Sequence, residues 1–159
     1  VFATGFDAVT GALLKMEIST TTGTSLRSTW QDGPRTYLGL AIHGFPNLFT
    51  ITGPQSPSVL TNMIPSIEYH VDWIADCLEH LRFNDRTRIE ATKAAEDAWV
   101  TEVSRLADAT LRPQCNSWYV GANMPGKPRV FMPYVAGVPA YRRIIEGVAE
   151  KDYEGFAKA

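Results

Sequence analysis

Cysteine is scarce: Cys77 and Cys115 are the whole complement of a 159-residue chain. Two thiols cannot staple a fold, so a disulfide-rich secreted scaffold is excluded, and a reducing, cytoplasmic setting is expected. As small apolar side chains they need no further role. No apolar run reaches the roughly 18 residues that cross a bilayer, and the start shows no signal-peptide pattern. Excess charge is lacking too. Fifteen basic against 17 acidic residues leave a formal net charge of −2, which offers no basic field to nucleic acid or to an anionic membrane.

Several motifs are missing or incomplete. Gly-x-Gly-x-x-Gly occurs nowhere, so the chain carries no dinucleotide fingerprint of that kind. Gly-x-Ser-x-Gly is absent as well, and no Ser/His/Asp order can be argued. His70 and His80 lie ten apart with Cys77 between them, a spacing that makes no zinc set. Solvent or packing roles are the expectation for them and for His43. The stretch from Gly121 to Lys127 matches seven positions of a phosphate-binding loop, but Pro128 stands where Ser or Thr should hold magnesium. Pro125 also removes a loop N–H, so a nucleotide hydrolase is set aside.

What is present centres on residues 48–66. Residues 49–52 read as a buried strand, stopped by Gly53 and Pro54. A loop of small residues follows, then a long amphipathic helix from about residue 62–66 to Phe83, with Pro65 in its first turn. Its apolar face is expected from Ile67, Val71, Ile74, Ala75, Leu78 and Leu81. Strand, small-residue loop and helix start together present N–H groups and positive dipole to an electron-rich ligand. A plain connection without ligand uses the same pattern.

Elsewhere, residues 13–18, 37–42 and 129–135 read as strands. A second long helix is expected over residues 92–111, capped by Thr92, with an apolar stripe of Ala95, Trp99, Val103 and Leu106. Residues 116–128 read as a loop holding Trp118, either a packed anchor or a mobile lid. Residues 140–150 form a last helix and 152–159 a trailing segment. Residues 1–6 read as a strand end, and Val1 to Ala3 as strand interior without an initiating Met, so a piece of a longer chain is expected. The reading is one mixed α/β unit.

Separated segments then resemble one family. They are Ala3-Thr4-Gly5-Phe6-Asp7, the stretches 33–39 and 44–49, Ile51-Thr52-Gly53-Pro54, the stretch 56–63, Ser66-Ile67-Glu68, Ser117-Trp118-Tyr119, the stretch 121–132, and Tyr153-Glu154-Gly155-Phe156. In order and spacing they are similar to the C-terminal portion of Baeyer–Villiger monooxygenases, nearest to members acting on phenylacetone and cyclohexanone. The resemblance implies the C-terminal part of a flavoprotein fold with two dinucleotide-binding domains, an incomplete FAD domain of short strands and two long helices. Residues 1–10 would link from the NADP domain, and 115–130 would be a mobile loop.

It also implies the chemistry. FAD, NADPH and oxygen would turn a ketone into an ester or lactone through a C4a-peroxyflavin. The family's catalytic arginine lies upstream, so no catalytic residue is expected here, and Arg27, Arg35 and Arg82 are not that arginine. By resemblance Met63, with Asn62 beside it, offers a backbone N–H to the flavin's pyrimidine edge, and Trp118 contacts NADP. Ser58, Val59, Leu60 and Met132 line the ketone pocket. Val59 and Pro133 depart from the nearest member, which leaves substrate range open. The partners implied are a small ketone and the upstream part of the same enzyme. The alternatives are a non-catalytic α/β module and a flavin monooxygenase that hydroxylates nitrogen or sulfur.

Overall fold

In the computed structural model, which describes residues 6–57 and 60–159, two long helices and a short C-terminal helix enclose an aromatic core. The elements in order are α1 (Gly11–Lys15), α2 (Leu26–Thr29), α3 (Met63–Phe83), β1 (Ile89–Ala91), α4 (Lys93–Asp108), two 3₁₀ turns (Arg112–Gln114 and Trp118–Val120), α5 (Val138–Glu150) and β2 (Phe156–Lys158). The expected strand end at residues 1–6 falls mostly outside the described residues. No helix among those described is long and apolar enough to cross a membrane.

α3 starts and stops for local reasons. The Asn62 side chain accepts the Ile64 N–H at 3.2 Å, while the N–H groups of Asn84 and Asp85 turn back onto the last-turn carbonyls. Thr92 caps α4 as expected, its hydroxyl accepting the Ala95 N–H at 3.3 Å.

Between the helices the rings do the packing. Trp99 of α4 stacks on Tyr134 with centroids 5.3 Å apart, and Trp73 of α3 meets the ring of Tyr153 edge-on at 5.2 Å. Their polar tips end on backbone: Trp73 Nε1 donates to Ile145 O, Trp99 Nε1 to Gln55 O, and Tyr141 Oη to Leu38 O. These three ring donors are therefore satisfied, which the low-dielectric interior requires. A second, smaller core gathers Leu26, Trp30, Ile42 and Phe45.

Several local expectations are corrected. Residues 13–18 are not a strand: α1 takes Leu13 to Lys15, with Gly11 N–H bonding back to Asp7 O. Residues 37–42 are a tight turn, because Leu38 and Gly39 both take left-handed conformations (φ 61° and 70°) and Tyr37 pairs with Ala41. Residues 49–52 pair at one point only, Phe49 with Ala41, before Thr52 turns left-handed at φ 51° and leaves Ile51 exposed. Residues 129–135 run irregularly, held by Met132 N–H to Tyr119 O and Tyr134 N–H to Ser56 O. The one sheet among the described residues is elsewhere: the supposed trailing segment supplies β2, antiparallel to β1, with Ile89 opposite Lys158 and Ala91 opposite Phe156.

The face of α3 is corrected as well. Ser66, His70, Trp73, Cys77 and Leu81 are buried, whereas Ile67, Val71 and Leu78 stay exposed. The aromatic core selects the face with Trp73 and His70, and aliphatic periodicity alone could not see that.

Candidate functional site: a cavity at the start of α3

Two backbone devices build the shelf before α3. The first is crowding: a Cβ on Gly53 would stand 2.4 Å from Thr50 Oγ1 and 2.7 Å from Gly39 O, so only glycine lets these strands of chain touch. The second is Gln55, fully buried and left-handed at φ 69°. Its side-chain carbonyl accepts the Thr36 N–H at 2.8 Å, its N–H donates to Met132 O, and its carbonyl accepts Trp99 Nε1–H. A non-glycine residue in this region costs on the order of 1 kcal/mol, offset by bonds to three separate segments.

α3 is tied to that shelf by His70. Its Nδ1 accepts the Thr52 N–H at 2.9 Å, which fixes the neutral ring with its proton on Nε2. Burial pushes the imidazole down to about 4. The ring also lies against Tyr141, centroids 5.5 Å apart.

Above the shelf opens a cavity of about 460 Å³, lined by Ala8, Val9, Leu13, residues 49–53, Met63 and Trp118. The size suits an organic ring system. Its wall is mostly apolar, with Thr50 and Thr52 as polar points. Met63 is the first residue of α3, and among the described residues its N–H meets no acceptor. The helix start thus brings an N–H and roughly half a positive charge to the cavity rim. Trp118 is half-buried and tilts against Tyr119, centroids 4.3 Å apart. Its loop is held to the opposite wall: Lys127 Nζ pairs with Asp7, and Asn123 Nδ2 donates to Phe6 O. Lys127 therefore balances Asp7 and is no phosphate ligand here.

Met63 and Trp118 are brought onto one cavity. Asn62 sits at its edge as the cap. Leu60 instead lines a second cavity with Pro57, Tyr134 and Val138. Met132 is buried, its backbone bridging Tyr119 and Gln55. Ser58 and Val59 lie outside the described residues. Sequence reasoning missed Thr52, Gln55 and His70. Only His70 left a trace, as a member with Ser66, Trp73 and Cys77 of a face with helical spacing. It also missed Glu96, buried in α4, which accepts the His43 N–H at 2.8 Å and pairs with Arg35 at 3.3 Å.

No protein-family model matches the chain. Over 158 residues it is 45% identical to the acetone monooxygenase (methyl acetate-forming) of Gordonia sp. strain TY-5, a stretch covering 99% of this chain and 30% of that one. It is also 45% identical, over 153 residues, to the Baeyer–Villiger monooxygenase of Pseudooceanicola batsensis, covering 96% and 28%. The chain is homologous to the Baeyer–Villiger monooxygenases. Its counterpart is their C-terminal portion, and it spans about 30% of the length of the relatives it matches.

Solved monooxygenase structures agree. Cyclohexanone monooxygenase from Rhodococcus sp. Phi1 bound to NADP+ superposes with TM-score 0.95 at 39% identity, over 99% of this chain and 29% of that one. A steroid monooxygenase bound to NADP gives 0.89 at 52% identity, over 97% and 29%. OTEMO in complex with FAD and NADP gives 0.91 at 38% identity, over 99% and 29%. The match extends to another chemistry: the phenazine N-monooxygenase of Lysobacter antibioticus is 40% identical over 156 residues, 98% of this chain and 28% of that one. Likeness over nearly the whole chain therefore does not by itself separate ketone from nitrogen oxidation.

Proposed function

We propose that residues 1–159 are one unit of an FAD- and NADPH-dependent Baeyer–Villiger monooxygenase that oxidises a ketone to an ester or lactone. The observation that carries this is the shared cavity of Met63 and Trp118, in a chain 45% identical to an enzyme named for turning acetone into methyl acetate.

The residues present fit one edge of a flavin. A flavin ring is flat and largely apolar, with an electron-rich pyrimidine edge. Phe49, Ile51 and Leu13 offer the apolar contact, and the start of α3 offers the N–H and the positive potential. The sequence holds no cradle for the pyrophosphate, so that end of FAD is assigned to the rest of the enzyme. When bound, FAD with oxygen supplies the oxidising chemistry and NADPH the electrons. This chain's own contribution is binding and orientation. Met63 N–H donates to the pyrimidine edge, with Asn62 holding the helix start in place. Trp118, on a mobile loop of residues 115–130, touches the nicotinamide nucleotide and keeps water out. Ser58, Val59, Leu60 and Met132 are assigned to the ketone by resemblance alone, with Leu60 on the neighbouring cavity beside Tyr134 and Met132 buried behind the shelf. No group here activates the carbonyl, so that role falls outside the chain.

The test is the complete reading frame, expressed with FAD and given NADPH, oxygen and a panel of ketones, with esters detected as product. NADPH-dependent ester formation is the expected result. Nitrogen oxidation of a phenazine without ester formation supports the second reading, which the phenazine N-monooxygenase match favours. Absence of both sinks each. The isolated 159 residues should lose FAD on desalting. Stoichiometric retention would contradict the assignment of the pyrophosphate end to the rest of the enzyme.

The Met63 donor has its own test. Proline at the first helical position keeps the helix but deletes the N–H, and Asn62 already has the extended conformation that proline requires (φ −64°, ψ 121°). Met63→Pro in the complete enzyme should make the flavin harder to reduce, while Met63→Leu should not. Equal potentials would remove Met63 from the site.

A further inference from the structure

Over residues 63–70, the first turns of α3, only Ser66 and His70 are buried. With Met63 they are spaced three and four residues apart, on one face of the helix. Ser66 Oγ donates to Asn62 O at 3.2 Å, inside the helix's own start. Tyr69 Oη reaches Arg142 O on α5 at 3.5 Å. His70 makes the bond to the cavity wall: its Nδ1 accepts the N–H of Thr52, a residue that lines the cavity with Met63.

The wall behind that bond is itself fixed. Thr50 N–H donates to Leu40 O at 2.8 Å, and Thr50 Oγ1 to Gly39 O at 2.9 Å. In the same turn Leu38 O accepts Tyr141 Oη at 2.6 Å, and the Tyr141 ring lies against His70. The contacts close a circuit that runs from wall to turn, to Tyr141, to His70 and back to the wall. Leu38, Tyr141 and His70 are each 1% exposed, so water does not replace a lost partner. An aliphatic side chain at position 70 would fill the same core. It could not accept the Thr52 N–H.

We propose that His70 is a positioning residue for the flavin, setting the gap between the cavity wall and the Met63 N–H. This rests on the flavoprotein reading above. α3 is a stiff rod, and His70 stands about 10 Å along it from Met63, so a displacement at one is carried to the other. A flavin ring lying on Phe49 and Ile51 meets the Met63 N–H at the distance that the His70 bond prescribes. Hydrogen bonds weaken steeply with length and angle, and a slip of about 1 Å is enough to lose much of the donation. The circuit keeps the helix start in register before the flavin arrives.

The test uses the complete enzyme at pH 7.5, with FAD affinity, flavin potential and melting temperature as readouts. His70→Leu removes the acceptor, whereas His70→Asn places an amide oxygen where Nδ1 was. Val103→Ala, in the buried face of α4, lowers stability away from the cavity. His70→Leu should bind FAD about tenfold more weakly and make the flavin harder to reduce, in the same direction as Met63→Pro. His70→Asn should stay within about twofold of the natural enzyme in affinity. Val103→Ala should lose melting temperature and nothing else. Tyr141→Phe keeps the ring and opens the circuit at Leu38, so it should move affinity and potential the same way by about threefold; it reads the proposal even if His70→Leu does not fold. Unmoved affinity and potential in His70→Leu, or in Tyr141→Phe where His70→Leu does not fold, overturn the proposal. So does a His70→Asn variant that behaves like His70→Leu, or a Val103→Ala variant that loses flavin equally. A complete protein that never binds FAD sinks the flavoprotein reading and this inference together. One that holds FAD with unmoved potentials sinks the inference alone.

Discussion

The backbone N–H of Thr52 donates to Nδ1 of His70 across 2.9 Å, joining the left-handed corner of the cavity wall to the second turn of α3. One bond thus sets where the helix start lies relative to the shelf of residues 53–57. Only a neutral imidazole can accept it.

Stability should therefore depend on pH through His70. Unfolded, the ring binds its proton near pH 6.5; folded, burial lowers that to about 4. Between these values the unfolded chain carries more protons, so stability falls as pH drops from about 6.5 to 4 and levels off below. The difference corresponds to about 3 kcal/mol. Urea unfolding at pH 7.5, 6, 5 and 4 measures it. His70→Asn keeps an acceptor and should flatten this part of the profile with little loss at pH 7.5. His70→Leu should cost about 1–3 kcal/mol at every pH by leaving the Thr52 N–H unsatisfied.

Gly53→Ala should destabilise by about 1–3 kcal/mol, since the new methyl would overlap Thr50 Oγ1 and Gly39 O. Pairing it with Thr50→Ser, which keeps that oxygen, should recover little. Chemical denaturation of the single and double variants decides this.

Much of this was readable in advance, and the failures share a cause. α3 and α4 announce themselves through caps, length and period, the last helix was read over 140–150 and begins two residues earlier at Val138, and the family segments pointed to Met63 and Trp118. The strand assignments failed because short runs such as the apolar 37–42 and the β-branched 49–52 predict extended backbone only when a sheet is there to pair with. Here single bridges and left-handed residues such as Leu38 and Thr52 take over. The buried face of α3 was misjudged because aliphatic side chains were counted and Trp73, His70 and Ser66 were not. Gln55 gave no signal at all, since its role depends on three segments distant in sequence.

Trp99 and Trp118 should respond oppositely to truncation. Trp99 is buried and stacked on Tyr134, so Trp99→Ala should cost about 3–5 kcal/mol. Trp118 is half-buried at the rim, so Trp118→Ala should cost under about 1 kcal/mol. In the complete enzyme it should instead weaken NADPH binding, read as a raised KM with folding intact.

The two thiols should differ in reactivity. Cys77 is fully buried and its thiol is pushed up to about 12 by that burial, whereas Cys115 is exposed. A thiol reagent at pH 8 should modify one cysteine per native chain and both in denaturant. Peptide mapping should find the native label on Cys115.

The pairing of β1 with β2 has a consequence for how the protein is made. Thr87 and Arg88 both donate to the carbonyl of Ala159, and Ile89 lies opposite Lys158. Until the ribosome has passed Ala159, β1 has no partner and the aromatic core lacks Tyr153 and Phe156. The nascent chain can wind α3 and α4 early, but it cannot close its core before that point. Until then it exposes the rings that later hold it together, and in that interval it depends most on chaperones.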